Sequence, residues 1–359
     1  MKLRRWQPRW YLWLALLFVA AGLGGWTWAV LTPEIGVPYR ATEASDPGSL
    51  TADGSGEKLW SFGFVGDTHA GLGNATVDEL FARFAAADVE FVLHLGDLVD
   101  VGAADEQWDA LSGLAHKHHL RLMPVVGNHD VHRGYSQDRG EIRWRQYFPQ
   151  LPDTFYSFSH RGLNFVMLNS ERILSPGSQQ ATFLARQLRS EPGTTIVCLH
   201  RPVFTCGRRD LPFVMARRLW LHPRLQQTGA VCVLTGHNHY YERTKPLDGV
   251  TYLVSGGGAP NQYEAETPNA RTECFANGRP HYGLVDVYAG HLAVRIIDLD
   301  GRALDEFALP RRAENAREPR PDQLDRWGRE IPARGQWSAQ EAPRGESPQM
   351  ASRPLPALW

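Results

Sequence analysis

The sequence has no C-x-x-C pair, no internal repeat and almost no net charge: its 359 residues include four cysteines and sum to a formal charge of -1. Four cysteines in so long a chain do not make a disulfide framework. Without a C-x-x-C pair, a thiolate-type structural zinc site is not expected. A charge near zero gives no general attraction to nucleic acid, so no nucleic-acid binding is expected. Cys198 and Cys232 stand inside apolar runs and read as core residues. Cys206 and Cys274 stand in loop-like sequence, where they could pair in an oxidising compartment.

Charge is also missing from "WYLWLALLFVAAGLGGWTWAVL", Trp10 to Leu31. A helix needs about 20 apolar residues to cross the hydrocarbon core, so residues 10–31 are long enough. Trp10, Trp13, Trp26 and Trp28 lie towards its ends, as interfacial aromatics do, and the basic flank 1–9 belongs in the cytoplasm. The expectation is a single-pass transmembrane helix with the remaining chain on the non-cytoplasmic side. A cleaved export signal is the rival reading, although its apolar region is normally shorter, about 7–15 residues. Residues 32–57 are rich in Pro, Gly, Ser, Thr and acidic residues and read as a linker. Residues 310–359, rich in Arg, Glu, Pro, Gln and Ser, read as a disordered tail.

Between Lys58 and Leu309, short apolar runs alternate with amphipathic stretches. "LWSFGFVGD", "VEFVLHLGD" and "LRLMPVVGNHD" read as strands, with helices in "VDELFARFAAA" and "DEQWDALSGLAHKHH" between them. Strand then helix, repeated, predicts a largely parallel sheet with helices packed on it. "TFYSFSH" and "LNFVMLNS", on either side of "RG", read as a β-hairpin; "QQATFLARQLRS" reads as a helix and "TTIVCLH" as a buried strand. "AVCVLTGHNH", "TYLVSGGG", "YGLVDVYAG" and "HLAVRIIDLD" add further β-structure. Two sheets packed face to face, with helices outside, satisfy both halves. Val131 to Gln146 and Phe204 to Arg218 read as loops that wall a pocket.

Polar clusters fall at the strand ends. The first strand ends in Asp67 and His69, the second in Asp97 and Asp100, the third in Asn128, His129 and Asp130. Later ones end in His200 and in His237 and His239. Ligand sites of open α/β sheets gather at the carboxyl ends of strands, so these clusters are expected to converge. Oxygen and imidazole donors without thiolate suit Mn, Fe, Zn and related ions. Glycine precedes Asp67, Asp97, Asn128 and His237, which permits unusual dihedrals just after a strand. Each cluster alone has a bland reading, such as a helix cap or a structural histidine; their recurrence at every strand end argues against it.

The ordered set Asp67-x-His69, Gly96-Asp97, Gly127-Asn128-His129-Asp130, His200 and Gly236-His237-x-His239 resembles the calcineurin-like metallophosphoesterases over about Leu59 to Leu299. The resemblance implies an α/β fold, a four-layer αββα sandwich of two mixed β-sheets flanked by helices. It also implies a phosphate mono- or diester as substrate and two divalent or trivalent metal ions, Fe, Mn or Zn. Asp67, His69, Asp97 and His239 would hold one ion; Asp97, Asn128, His200 and His237 the other, with Asp97 between them. A hydroxide shared by the ions would attack phosphorus. His129 would donate a proton to the leaving oxygen, and Asp130 would either hold the other ring nitrogen of His129 or cap a helix. A non-catalytic docking module on the same fold, or an esterase for cyclic nucleotides or lipid headgroups, is the alternative. "GHNHYYER" and "YLVSGGG" resemble the purple acid phosphatase branch; His69 and Asp100 depart from it, standing where that branch has Gly and a ligand Tyr. Asn238 should turn away from the ions, and Tyr240 to Arg243 form either a rim or a brace. Arg201 either reaches a phosphate or is pointed elsewhere by a turn at Pro202; Arg208 and Arg209, in loop-like sequence, could contact an anionic substrate, while His116, His118 and His119 read as solvated.

Overall fold

The computed structural model describes residues 56–132, 137–190, 193–207, 211–226, 230–263 and 267–311. The expected basic flank and the anchor at 10–31 lie outside these residues, as do nearly all of the linker and the tail. No helix among the described residues is long and apolar enough to cross a membrane.

The chain begins with a β-α-β-α-β run: β1 (Trp60–Val65), α1 (Asn74–Ala86), β2 (Val92–His94), α2 (Asp105–Lys117) and β3 (Leu122–Pro124). The three strands are parallel neighbours. Two helices follow, α3 (Asn128–Val131) and α4 (Gln137–Tyr147). Then come β4 (Tyr156–His160), β5 (Leu163–Met167), α5 (Gln179–Ser190), β6 (Thr194–Cys198), α6 (Leu211–Gln226) and β7 (Ala230–Thr235). The run ends with β8 (Tyr241–Thr244), β9 (Thr251–Ser255), β10 (Thr272–Ala276), β11 (His281–Val287), β12 (His291–Asp298) and β13 (Ala303–Pro310).

Two mixed sheets result, ordered β13-β12-β11-β1-β2-β3 and β10-β8-β9-β7-β6-β5-β4. The expected hairpin is present. Arg161 and Gly162 both take positive φ, 42° and 81°, the two-residue turn whose twist matches its strands. It sets Phe158 opposite Phe165, with rings stacked at 4.7 Å.

Strict alternation on the central strands divides the apolar residues between two cores. Phe165, Met167, Ile196, Cys198, Cys232, Leu234 and Leu253 face the other sheet, where Phe62 meets Phe165 at 5.5 Å. Their neighbours Val166, Val197, Val233 and Tyr252 face outwards and pack with Leu184 of α5 and Trp220, Leu221 and Leu225 of α6. Strands buried on both faces read as unbroken apolar runs, which is why "TTIVCLH" and "AVCVLTG" show no polar face. On the first sheet the same logic places α1. Its Val77, Leu80, Phe81 and Phe84 recur at helical spacing and are buried.

One expectation needs correction. The segments read as pocket-wall loops contain helices, α4 and α6; α6 buries Val214, Trp220, Leu221 and Leu225 against the second sheet. Its internal Pro223 and paired arginines hide that pattern in the sequence. The β-structure continues past "HLAVRIIDLD" into β13, which the sequence reading did not name, and β11 to β13 lie in the first sheet beside β1. Cys206 and Cys274, whose pairing the sequence left open, form no disulfide: Cys206 lies 3.9 Å from the Tyr240 hydroxyl, and Cys274 contacts the Leu304 carbonyl.

Gly63 of β1 faces α1, and a Cβ there would lie 2.4 Å from the Phe84 ring. Gly63→Ala is therefore expected to cost roughly 1–3 kcal/mol through overpacking. Thermal denaturation should show a lower Tm, by about 2–4 °C per kcal/mol for a domain of this size. Gly290→Ala, with open space around its Cβ, should leave Tm within error.

Candidate metal centre

The strand-end loops are stitched to one another by their own backbones. Asp67 N–H donates to Gly96 O at 2.9 Å, His69 N–H to Asp97 O at 3.1 Å and Ala70 N–H to Leu98 O at 2.9 Å. The loops after β1 and β2 thus run side by side. The Thr68 hydroxyl reinforces this by donating to Leu98 O at 2.9 Å. Within the second sheet Gly236 N–H donates to His200 O at 2.9 Å, and His237 N–H joins that sheet's loops to the first by donating to both Asp67 oxygens at 3.0 and 2.9 Å.

Four of the expected ligands themselves adopt left-handed backbone: Asp67 (φ 63°), His69 (43°), Asp97 (52°) and His237 (69°). Asp and His tolerate this region better than most residues, yet such conformations cost of order 1–3 kcal/mol each. The preceding glycines play a different part from the expected one. Only Gly96 has a positive φ, 88°. Gly66, Gly127 and Gly236 are needed for close approach. A Cβ would lie 2.8 Å from Ser255 O at Gly66, 2.1 Å from Asp97 N at Gly127 and 2.4 Å from Asp67 Oδ2 at Gly236. The glycine turn 256–258 seals the underside, with Gly258 N–H donating to Gly66 O at 2.9 Å.

This geometry gathers the expected donors into two groups, Asp67, His69 and His239, and Asp97, His200 and His237, each with one ligand atom per residue within 4.8 Å of the others; His69, Asp97 and His129 form a third such group that overlaps both. In the first, His69 Nε2 lies 3.3 Å from His239 Nε2, which is 3.6 Å from Asp67 Oδ1. In the second, His200 Nε2 lies 3.2 Å from Asn128 Oδ1, 3.2 Å from His237 Nδ1 and 3.3 Å from Asp97 Oδ2. The same Asp97 Oδ2 is 3.9 Å from His69 Nε2, so one carboxylate oxygen faces both groups.

The donor set fits cations. His200 Nδ1 lies 2.8 Å from Leu95 O and His239 Nδ1 2.8 Å from Asn261 O. A carbonyl only accepts, so each Nδ1 carries the hydrogen and each Nε2 turns its lone pair into the site. Those lone pairs meet carboxylate and amide oxygens, an arrangement that repels until a proton or a metal ion lies among them. Protonation equilibria show the same demand. Burial works to lower His200, but Asp97, Asp67 and Glu171 push it up to about 10. Asp67 likewise outweighs burial at His239 and raises it. Burial dominates at His69 and takes it down to about 4. Burial would raise Asp97, but His200, His129 and His69 hold it well below the ordinary carboxylate range.

Asp130 does not reach His129. It is buried and accepts Gly127 N–H at 2.8 Å, Leu98 N–H at 2.8 Å and Val99 N–H at 3.2 Å. The capping alternative is therefore the one observed, and its three bonds tie the loop after β3 to the loop after β2. The partner of His129 is Asp100, whose carbonyl lies 2.9 Å and whose Oδ1 3.1 Å from Nδ1. His129 N–H donates to Asp97 Oδ1 at 2.8 Å. Asp100 stood in the "GDLVD" cluster, but nothing in its spacing distinguished a histidine-holding carboxylate from a cap. Glu171 carried no signal at all; it pairs with Arg201 beside His237.

Asn238 turns away, donating to Thr205 Oγ1 and the Tyr240 hydroxyl, both at 3.0 Å. Tyr240 and Tyr241 are fully buried, so "YYER" is a brace and not a rim. His118 pairs with Asp78 at 2.6 Å. Arg208 and Arg209 lie outside the described residues.

The profile of the family described as calcineurin-like phosphoesterase matches residues 61–241, half of the chain. Tartrate-resistant acid phosphatase type 5 of Homo sapiens is 24% identical over 290 residues, covering 68% of this chain and 86% of that protein. Among solved structures, a purple acid phosphatase from yellow lupin seeds superposes with TM-score 0.58 at 19% identity, over 70% of this chain and 53% of that one. GAP50, the anchor in the inner membrane complex of Plasmodium, gives TM-score 0.59 at 14% identity, over 72% of this chain and 90% of that one. At such identities the structural likeness concerns the fold. The family profile, agreeing with the ordered strand-end motifs, makes this chain a member of the calcineurin-like phosphoesterases, hydrolases of phosphoric ester bonds.

Proposed function

We propose that the protein is a dinuclear metal-dependent phosphoesterase, anchored by residues 10–31 with its catalytic domain outside the cytoplasm. One observation carries the chemistry: a single buried oxygen of Asp97 faces both His/Asp groups. The uncharged segment between Trp10 and Leu31, with its basic flank, supports the anchor. Asp67, His69, Asp97 and His239 would hold one ion, and Asp97, Asn128, His200 and His237 the other. Two bound cations would activate water for attack and offset the charge that grows on the phosphoryl oxygens.

The protein's own residues supply the rest. Asp100 O accepts from His129 Nδ1–H, which leaves Nε2 as the atom that exchanges a proton with the leaving oxygen. The ring of His129 stands edge-on to His69, centroids 4.5 Å apart, and its side chain is 21% exposed. It therefore lies at the boundary between the buried donors and solvent, where a substrate would enter. Asp130 holds the loop that carries Asn128 and His129 without joining the chemistry.

Loaded with Mn, Fe or Zn, the protein should hydrolyse an activated aryl phosphate ester, and chelation should stop it. Inactivity towards both mono- and diesters with two metals bound would sink the proposal. Asp97→Asn should lower kcat/KM by at least about a thousandfold and reduce the content of both metals, measured by elemental analysis. His129→Ala should lose about 10²–10⁴-fold in kcat with both metals retained; an equal loss of metal would make it a ligand instead. Asp100→Ala removes only the Oδ1 contact at 3.1 Å and keeps the carbonyl that accepts from His129 Nδ1–H, so it should lower kcat less than His129→Ala does.

A further inference from the structure

His239 is held differently from the other donors of the two groups. Asp67, His69, Asp97, His200 and His237 are buried, and His239 is half-buried. The outer nitrogen of its ring has a tether, the Asn261 carbonyl 2.8 Å from Nδ1. One hydrogen bond fixes an edge of an imidazole but lets its plane swing, because the terminal torsion of histidine is broad. The neighbouring ring of the same group offers little support. Among the described residues His69 Nδ1 has no hydrogen-bond partner, with Asp100 Oδ1 3.7 Å away.

Tyr263 supplies the missing constraint. Its ring lies nearly parallel to the His239 ring, with 22° between the planes and 4.6 Å between the centroids. Its N–H donates to His239 O at 2.9 Å. Residues 261–263 therefore grip His239 at three points: the outer nitrogen, the carbonyl and the ring face. The segment is itself fastened. Gln262 Nε2 donates to Ala259 O at 2.9 Å and to Gly256 O at 3.3 Å. Pro260 sits against Gly73, where a Cβ would lie 3.3 Å from it. Behind the Tyr263 ring stands Tyr240, edge-on at 6.4 Å, and Tyr240 is fully buried.

We propose that Tyr263 is a positioning residue for the Asp67–His69–His239 cation position: its ring fixes the plane of His239, so that Nε2 stays aimed at Asp67 and His69. The proposal rests on the dinuclear reading above. The contact is face to face, so the flat ring carries the effect and the hydroxyl does not. The effect falls on one cation position, because the other group is held from elsewhere, with His200 Nδ1 2.8 Å from Leu95 O. Groups that orient a metal-binding histidine from outside contribute to metal affinity without touching the ion.

The test uses the full-length protein and its Tyr263→Phe, Tyr263→Ala and Tyr263→Leu variants. Zinc binding is measured by competition with a chelator, and exchange of the His239 Nδ1–H with water is followed by NMR in the metal-free protein. Tyr263→Ala should weaken one zinc equivalent by about 10–100-fold, the usual effect of removing a group that orients a ligand, and leave the other unchanged. Tyr263→Leu fills similar space without a flat face; it should show the same loss, and it decides the matter if Tyr263→Ala does not fold. Tyr263→Phe should match the wild type. In the metal-free protein the Nδ1–H should exchange faster in the Ala and Leu variants than in the wild type and the Phe variant. Two unchanged equivalents, an equal loss of both, a loss in Tyr263→Phe as large as in Tyr263→Ala, or unaltered Nδ1–H exchange would overturn the proposal. If the wild type binds fewer than two zinc ions, the dinuclear reading fails, while the exchange measurement still decides for or against Tyr263.

Discussion

Two buried carboxylates, Asp67 and Asp97, impose the constraint that organises this molecule. They are 0% and 2% exposed and lie in one small volume. Stripping the hydration from two anions costs several kcal/mol each unless other charges and hydrogen bonds replace it. The protein replaces it in two ways. Backbone amides of His237 and His129 point at the carboxylates, and imidazoles of His200, His69 and His239 surround them. Asp97 and Asp67 in turn push His200 and His239 up against the pull of burial. The same burial of anions beside imidazole lone pairs is what would favour a cation there.

Holding these groups at close range requires backbone that an isolated chain would avoid. Left-handed conformations at Asp67, His69, Asp97 and His237 persist because their loops are over-determined. Each loop bonds to the next one, and Asp130 gathers three amides from two of them. Glycines at 66, 127 and 236 let the loops approach to distances that any Cβ would block. The strain is concentrated on the ligands and the close approaches on the glycines. A sequence displays both as the same Gly-Asp or Gly-His pair.

That ambiguity marks what could be read in advance. Strand ends carrying Asp, Asn and His were legible because ligand type and strand position are local properties of the chain. The two-residue turn at Arg161-Gly162 was legible because its dihedrals are set by its own residues. Pairing across long separations was not. Nothing near Asp100 announces that His129 will come to it rather than to Asp130, its neighbour in sequence, and nothing near Glu171 announces Arg201. The helix α6 was read as loop because its face is defined by the sheet it covers, not by a clean polar side. The strands β11 and β12 were legible as strands and β13 was not, and the place of all three beside β1 depends on how the whole chain returns.

The brace behind the centre shows how fold and site depend on each other. From Tyr240 into β8 the side chains alternate, as an extended chain requires. Tyr240, just before the strand, and Glu242 take one direction. The Tyr240 hydroxyl meets Thr205 and Gly207 N–H, and Glu242 accepts Cys206 N–H and the Thr272 hydroxyl. Together they pin the loop that follows His200 and Arg201. Tyr241 and Arg243 take the other direction and both donate to Asp305 of β13, at 2.6 Å. β8 belongs to one sheet and β13 to the other. The four residues after the His-x-His pair therefore fasten the two sheets together and fix the loop beside the centre. His237 and His239 can face different groups only because the strand that follows them is anchored on both sides. Buried hydrogen bonds to charged partners contribute about 1.5–3 kcal/mol each, comparable with the strain in the ligand loops that they help to hold.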